Sequence, residues 1–357
     1  TTPQFSEGGE YTVALTSVTD RLGCKEFLKD EKRISVRHQM PKVAFSTIDG
    51  HRSIEMLEDK RAALPLRLMA GEGPWTVQYT DPSGRSHQMT ASKPNDKIEV
   101  SAPGTYELTG LHDSSCPGQV DETANKFDVS LIPRPEMRIA RSSEKDTANT
   151  IFKQDICEGD EDAVEIYFKG LPPFKAQYAQ KVKPLSGTMS PKNKDLRAAL
   201  NVASLRMDTS QAGAYEYIFD KLSDSNYDHT PGRFSPLKVK QTVHQRPSAA
   251  FDKPGKTYSF CNADAEGDEE IPVTFSGTPP FTLEVELKQI GSMRPETVLI
   301  KDIKTKSYMV KIPRKNLFVG KSSVALRRVT DSNTCSRTLD SSTPRVQISV
   351  HAAPDIT

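Results

Sequence analysis

The sequence predicts an all-β chain of tandem antiparallel β-sandwich modules forming an elongated rod. Three observations predict it: apolar and polar residues alternate in short runs, helical periodicity is scarce, and a set of ordered landmarks recurs about every hundred residues. The alternating runs are Phe127 to Leu131, Val164 to Phe168, Leu237 to Val243, Ile271 to Phe275, Phe281 to Leu287 and Arg345 to Val350. Gly, Pro, Asn and Asp bound them, and about seven such runs per hundred residues is the strand density of a two-sheet sandwich. Lys194 to Leu200 fits either one or two helical turns or the start of a strand.

The landmarks come in a fixed order. Gly71-Glu-Gly-Pro-Trp75, Gly170-Leu-Pro-Pro-Phe174 and Gly277-Thr-Pro-Pro-Phe281 open the set. Gly104-Thr-Tyr106 and Gly213-Ala-Tyr215 follow, with a degraded Gly320 to Leu326 in the last copy. Asp113-Ser-Ser-Cys116, Asp224-Ser-Asn-Tyr227 and Asp331-Ser-Asn-Thr-Cys335 close it. Glycine and proline stop one strand and turn the chain, and the aromatic residue enters the next strand facing inward, where it buries ~150 to 250 Å². In an immunoglobulin-like sandwich this is the third, or C, strand, with Trp75, Phe174 and Phe281 as central core residues. Tyr106 and Tyr215 then match the tyrosine corner at the start of the F strand, whose hydroxyl bonds upstream backbone. Leu108 and Tyr217 stand two residues later, where antibody domains carry a cysteine, so the usual intersheet disulfide is absent.

Gly9-Glu-Tyr11 and Asp20 to Cys24 repeat the last two landmarks, so residues 1–40 read as the C-terminal part of a preceding module. Full immunoglobulin-like modules are placed at 41–134, 135–246 and 247–351. Their junctions carry Pro41, Pro133 with Pro135, and Pro247. Proline fixes its own φ and biases its predecessor to extended geometry, which makes these joints semi-rigid.

The 357 residues include 48 Lys plus Arg and 47 Asp plus Glu, a formal charge of +1. That balance supplies no overall basic field for nucleic acid or an anionic membrane. No run approaches the ~18 to 20 apolar residues of a bilayer-spanning helix, and the opening Thr-Thr-Pro-Gln is no signal peptide, so a soluble piece of a longer protein is expected.

Cysteine positions predict one disulfide, Cys261 to Cys335, closing a loop of about 74 residues and contributing roughly 4 kcal/mol. Cys157 occupies the slot of Cys261 but faces Tyr227, and Cys116 has the partner slot but faces Leu57 or a neighbour. Cys116 and Cys157 are expected a module length apart and unpaired, and Cys24 needs a partner upstream. Five reduced thiols in a cytosolic chain is the alternative, while an oxidising lumen accounts better for one intact pair and three single slots.

Catalytic and metal chemistry find little support. The acidic runs Glu158 to Asp162 and Asp264 to Glu270 offer oxygen ligands for Ca²⁺, yet match no known loop spacing and read better as solvated loops that discourage edge pairing. No two histidines have helical metal-ligand spacing. His112 and Asp113 lack a nucleophile in an elbow context, and Cys116 beside His112 shares its slot with Tyr227. The Gly-x-x-Pro motifs put proline where a phosphate loop needs N–H donors. The expectation is a non-enzymatic protein with no cofactor.

The ordered motifs Gly-x-Pro-Pro-Phe, Gly-x-Tyr-Glu and Asp-Ser-x-x-Cys, taken together over essentially the whole chain, resemble the lumenal repeats of the fungal pore-membrane nucleoporins. The resemblance implies a structural nucleoporin of the nuclear pore complex: a single-pass protein of the nuclear envelope whose immunoglobulin-like string lies on the perinuclear lumen side. It also implies homotypic association of the repeats into a lumenal ring that helps anchor the pore. Contacts with other pore-membrane nucleoporins, and with the membrane through a transmembrane segment, would lie in parts outside this chain. The rival reading is a cadherin- or invasin-like adhesive ectodomain segment, which requires Ca²⁺-dependent rigidity. An exposed G or A edge strand is the expected association surface.

Overall fold

The computed structural model describes residues 5, 7–36, 39–140, 144–187, 189–230, 232–264, 266–340 and 343–354. They form two compact units, Thr1–Arg134 and Pro135–Thr357.

The first unit opens with a hairpin of Gly9–Thr19 and Lys25–Val36 whose side chains are almost all exposed. A sandwich follows. Its smaller sheet has the order Gln119–Val120, Lys42–Phe45, Ala62–Met69, Lys97–Val100, and its larger sheet the order Ser53–Met56, Lys126–Leu131, Gly104–His112, Trp75–Thr80, Ser86–Ala91. Period-two alternation decides the facing: Ala62, Leu64, Leu66 and Leu68 are buried while the residues between them turn outward. Together with Val43, Phe45, Val77 and Phe127 they make one closed core.

The second unit holds two more sandwiches. In the first, Glu136–Ile139, Ala163–Lys169 and Val202–Arg206 face a sheet in which Leu237–His244, Gly213–Ser223, Phe174–Pro184 and Lys192–Ala198 lie in that order. Thr150–Phe152 and Ile156–Cys157 both pair in parallel with Leu237–His244. In the second, Ser248–Phe251, Asp268–Ser276 and Ser307–Pro313 face the order Thr257–Cys261, Val346–His351, Gly320–Thr330, Phe281–Lys288, Glu296–Ile303. Each has its own core, centred on Ile166 and Phe219 in one and on Ile271 and Leu283 in the other. Lys192–Ala198 is a strand, which settles the ambiguous run near Lys194.

The expected G edge is not an edge. Val346–His351 hydrogen-bonds Gly320–Thr330 on one side and Thr257–Cys261 on the other. The first strand is split so that its second half, Thr257–Cys261, covers the G strand in parallel; the larger sheet therefore ends at Thr257–Cys261, the A half of the expected edge, and at Glu296–Ile303. Among the described residues no helix is long and apolar enough to cross a membrane.

Candidate functional site

The landmark residues of each sandwich converge on one construction. The closing aspartate accepts, through Oδ1, the N–H groups of its own turn: Ser115 at 2.8 Å and Cys116 at 2.6 Å for Asp113, Asn226 at 2.9 Å and Tyr227 at 2.8 Å for Asp224, Asn333 at 3.0 Å and Cys335 at 3.2 Å for Asp331. Its other oxygen accepts the N–H that follows the landmark glycine, from Glu72, Leu171 and Thr278 at 3.2, 3.0 and 3.4 Å. One carboxylate thus ties the Gly-x-x-Pro turn to the F–G turn. This explains the glycine: Gly71, Gly170 and Gly277 have φ of 79°, 139° and 123°, and a Cβ on Gly71 or Gly170 would lie 2.8 or 2.7 Å from the aspartate oxygen. The peptide bonds Gly73–Pro74, Pro172–Pro173 and Pro279–Pro280 are cis.

The aromatic residues that follow are buried. Trp75 is 6% exposed, Phe174 2% and Phe281 0%, and the last two stack on Phe168 and Phe275 at 5.0 and 4.9 Å. The Tyr106 hydroxyl donates to the Ala102 carbonyl at 2.9 Å and that of Tyr215 to Gln211 at 2.8 Å, while Tyr11 of the hairpin repeats the bond to Glu7 at 2.8 Å. In the last sandwich Ser322 stands two residues after Gly320, in the tyrosine position, fully buried with its hydroxyl unpartnered.

The expected Cys261–Cys335 disulfide is not formed. Cys335 bonds Cys157 of the preceding sandwich, Cα–Cα 5.6 Å, and Cys261 is free and exposed. The geometry rules out the expected pair. Cys261 pairs with His351 beside the Gly320 end of the F strand, whereas Cys335 follows the Thr330 end, some 33 Å away at ~3.3 Å per residue. A disulfide spans at most ~7 Å between Cα atoms. The F–G turn therefore points back toward the module before it. Cys24 and Cys116 are also free.

An arginine that sequence reasoning missed completes this junction. Arg246, just before Pro247, donates from Nε to the Glu158 carbonyl at 2.7 Å and from Nη1 to the Ser336 carbonyl at 2.7 Å, and its Nη2 pairs with the Asp160 carboxylate. It grips the acidic turn of the module it leaves and the F–G turn of the module it enters. Arg134 likewise precedes Pro135 and folds back on Glu58 and, at 2.5 Å, on Asp59. The signal was the repeated Arg-Pro in both linkers.

The acidic runs are engaged in ion pairs rather than clustered. Asp162 binds Lys153 at 2.7 Å, Glu161 binds Arg206 at 2.8 Å, and Glu269 and Glu270 each bind a cation at 3.1 Å. Among the described residues no group of His, Cys, Asp and Glu has the arrangement of a metal site. Two of the titratable groups that depart from ordinary values lie on the F and C strands and show the two opposing causes. The Arg327 hydrogen bonds, at 2.8 and 2.5 Å, hold the Glu286 carboxyl below the usual range, and burial pushes the Tyr217 hydroxyl up while it accepts the Asp208 N–H at 2.8 Å.

Comparison with known proteins agrees with this architecture. Residues 40–126 match the family described as Nucleoporin POM152, Ig-like domain, and residues 133–250 match Nucleoporin pom152-like, immunoglobulin-like domain. The chain is 32% identical over 367 residues to Nucleoporin pom152 of Schizosaccharomyces pombe, covering 98% of this chain and 29% of that protein. The chain belongs to the Pom152 nucleoporin family. Nucleoporin POM152 of Saccharomyces cerevisiae is 29% identical over 374 residues, covering 99% of this chain and 28% of its own length. The chain thus spans under a third of these curated Pom152 relatives. Among solved structures, the titin I-band fragment I67-I69 aligns over 89% of this chain and 100% of its own at 10% identity and a TM-score of 0.38. Pom152 domains are structural immunoglobulin-like modules and not an enzyme family.

Proposed function

We propose that this segment is a lumenal structural element of the nuclear pore: a string of immunoglobulin-like modules that associates with copies of itself into a ring and helps anchor the pore in the nuclear envelope. The observation that carries the reading is the Cys157–Cys335 bond seated between two modules of a Pom152-family chain. Such bonds persist in oxidising compartments, and the perinuclear lumen is one; the nuclear and cytosolic faces of the pore are not. Self-association is assigned to the open edge Glu296–Ile303, where Val298 is 44% and Leu299 54% exposed. The corresponding edge Lys192–Ala198 is studded with charges that deter pairing. Other pore-membrane nucleoporins and the bilayer are contacted through the rest of the protein.

Sedimentation velocity over a wide concentration range, without reductant and with or without chelator, tests this. The sedimentation coefficient should rise with concentration whether or not Ca²⁺ is present, and Leu299→Lys should suppress the rise. A strictly monomeric chain would remove the ring-forming role, and a chelator-sensitive one would favour the adhesive reading.

A further inference from the structure

The bond between Cys157 and Cys335 joins two positions that recur in every module. The first position follows the half-strand that pairs in parallel with the end of the G strand. Cys157 lies opposite His244 there, and Cys261 lies opposite His351 in the same register one module later. The second position is the F–G turn residue held by the landmark aspartate, occupied by Cys335, Cys116 and Tyr227, and in the hairpin by Cys24, whose N–H reaches Asp20 at 2.9 Å. In the sandwich of residues 41–132 the first position is Leu57, and in the next sandwich the second is Tyr227, so the two cysteines a bond would require are replaced together.

Cys261 therefore has the same backbone placement as a cysteine already seen bonded, and it sits on a built platform. Arg314 donates to the Asp264 carbonyl at 3.4 Å and to Glu269 at 3.1 and 3.3 Å, and lies over the Phe260 ring at 4.9 Å, fixing the turn that follows the thiol. The adjoining loops, tied by Gln289 to Asn316 and Phe318 at 3.0 and 2.9 Å, expose Ile290, Met293, Phe318 and Val319 by 55, 99, 59 and 49%. This is an apolar module end of the kind that marks an interaction site. The linker also recurs: His351-Ala-Ala-Pro354 repeats the spacing of His244-Gln-Arg-Pro247.

We propose that Cys261 forms a disulfide with the F–G turn cysteine of an immunoglobulin-like module that follows Pro354 in the full-length protein, seated on this apolar end. A four-residue linker gives such a partner a far higher effective concentration than a second copy can reach. The chemistry needs a disulfide oxidant such as oxidised glutathione. One thiolate attacks it to give a mixed disulfide and release one thiol; the second thiolate displaces the other, so two electrons and two protons pass from the cysteines to the oxidant.

The inference rests on the lumenal reading, and one experiment separates their failures. Full-length protein is alkylated without reductant and digested, and its disulfide-linked peptides are identified by mass spectrometry. The Cys261 peptide should be joined to a later peptide of the same chain carrying an Asp-anchored F–G turn cysteine, and Cys261→Ser should free that cysteine for alkylation. An alkylated Cys261 beside an intact Cys157–Cys335 link would overturn the proposal alone, as would a Cys261 link to Cys24 or Cys116 of a second copy. Alkylation of Cys157, Cys261 and Cys335 together would overturn both readings.

Discussion

Replacing Cys157 by serine should destabilise a sandwich that does not contain residue 157. With the sandwich of residues 136–244 folded, the bond and the linker after His244 hold both ends of the following sandwich, closing a loop of roughly 90 residues in its unfolded state, for which loop entropy gives about 4.5 kcal/mol. The same count applies with the roles exchanged, because Cys157 and the linker before Ser248 enclose a similar length of chain. Residual structure in the unfolded chain reduces such values, so a loss between about 2 and 5 kcal/mol is expected in each sandwich, and about 2 kcal/mol already lowers the melting temperature of a domain of this size by ~10 °C. Calorimetry of the oxidised chain, with and without reductant, reads it. Trp75, the single tryptophan, lies in the first unit and supplies an internal control by fluorescence that should not move. Reductant should lower the wild type and leave Cys157→Ser where it is. A bond confined to one module would move one transition only. If Cys157→Ser shifts neither transition while the wild type is oxidised, or shifts one alone, the clamp does not couple the two sandwiches.

Three further outcomes follow from the same geometry. Asp224→Ala removes the acceptor of the Leu171, Asn226 and Tyr227 N–H groups and should cost ~3 kcal/mol by urea unfolding; a loss below ~1 kcal/mol would mean that water replaces the carboxylate. Ser322→Ala deletes a buried hydroxyl without a partner, so stability should stay level or rise by up to ~1 kcal/mol, and a clear loss would reveal a bond this hydroxyl makes in solution. The Glu286 carboxyl, held below its ordinary value by Arg327, stabilises the fold above the unfolded carboxylate range and loses that contribution as pH falls through its depressed folded value. The stability gap between wild type and Glu286→Gln should therefore be largest near neutrality and close under acid conditions, which urea titrations at stepped pH would read; a gap independent of pH would assign it to packing.

How much of this was legible depends on what sequence periodicity encodes. Strand positions and core aromatics were legible because burial on one face of a sheet forces period-two alternation, and because a residue such as Phe281 follows a turn only Gly and Pro permit. The ends of a module are different. Nothing in the alternation of Val346 to Val350 says which neighbour a strand takes, so the covering of the G strand by Thr257–Cys261 was not visible; of the two expected edges G is covered and A forms the rim. The disulfide failed for a related reason. Cys261 and Cys335 belong to one module and were expected to pair, whereas a strand of 11 residues between their levels puts them at opposite ends of it. Arg246 escaped because the repeated Arg-Pro marks a linker but names no acceptor until the fold brings the carbonyls of Glu158 and Ser336 to it.

The aspartate turn shows why the cysteines vary while the architecture does not. Tyr227 makes the same two backbone bonds to its aspartate as Cys335 does, N–H to Oδ1 and carbonyl to the aspartate N–H at 2.9 Å, so the turn is complete without sulfur. Folding of a module therefore depends on Gly, Asp and the buried aromatic residue, and coupling to its neighbour is a separate property set by residues of the facing ends and the linker, here Cys157, Cys335 and Arg246. A chain built this way can gain or lose a disulfide clamp at the end of a module without disturbing that module's core.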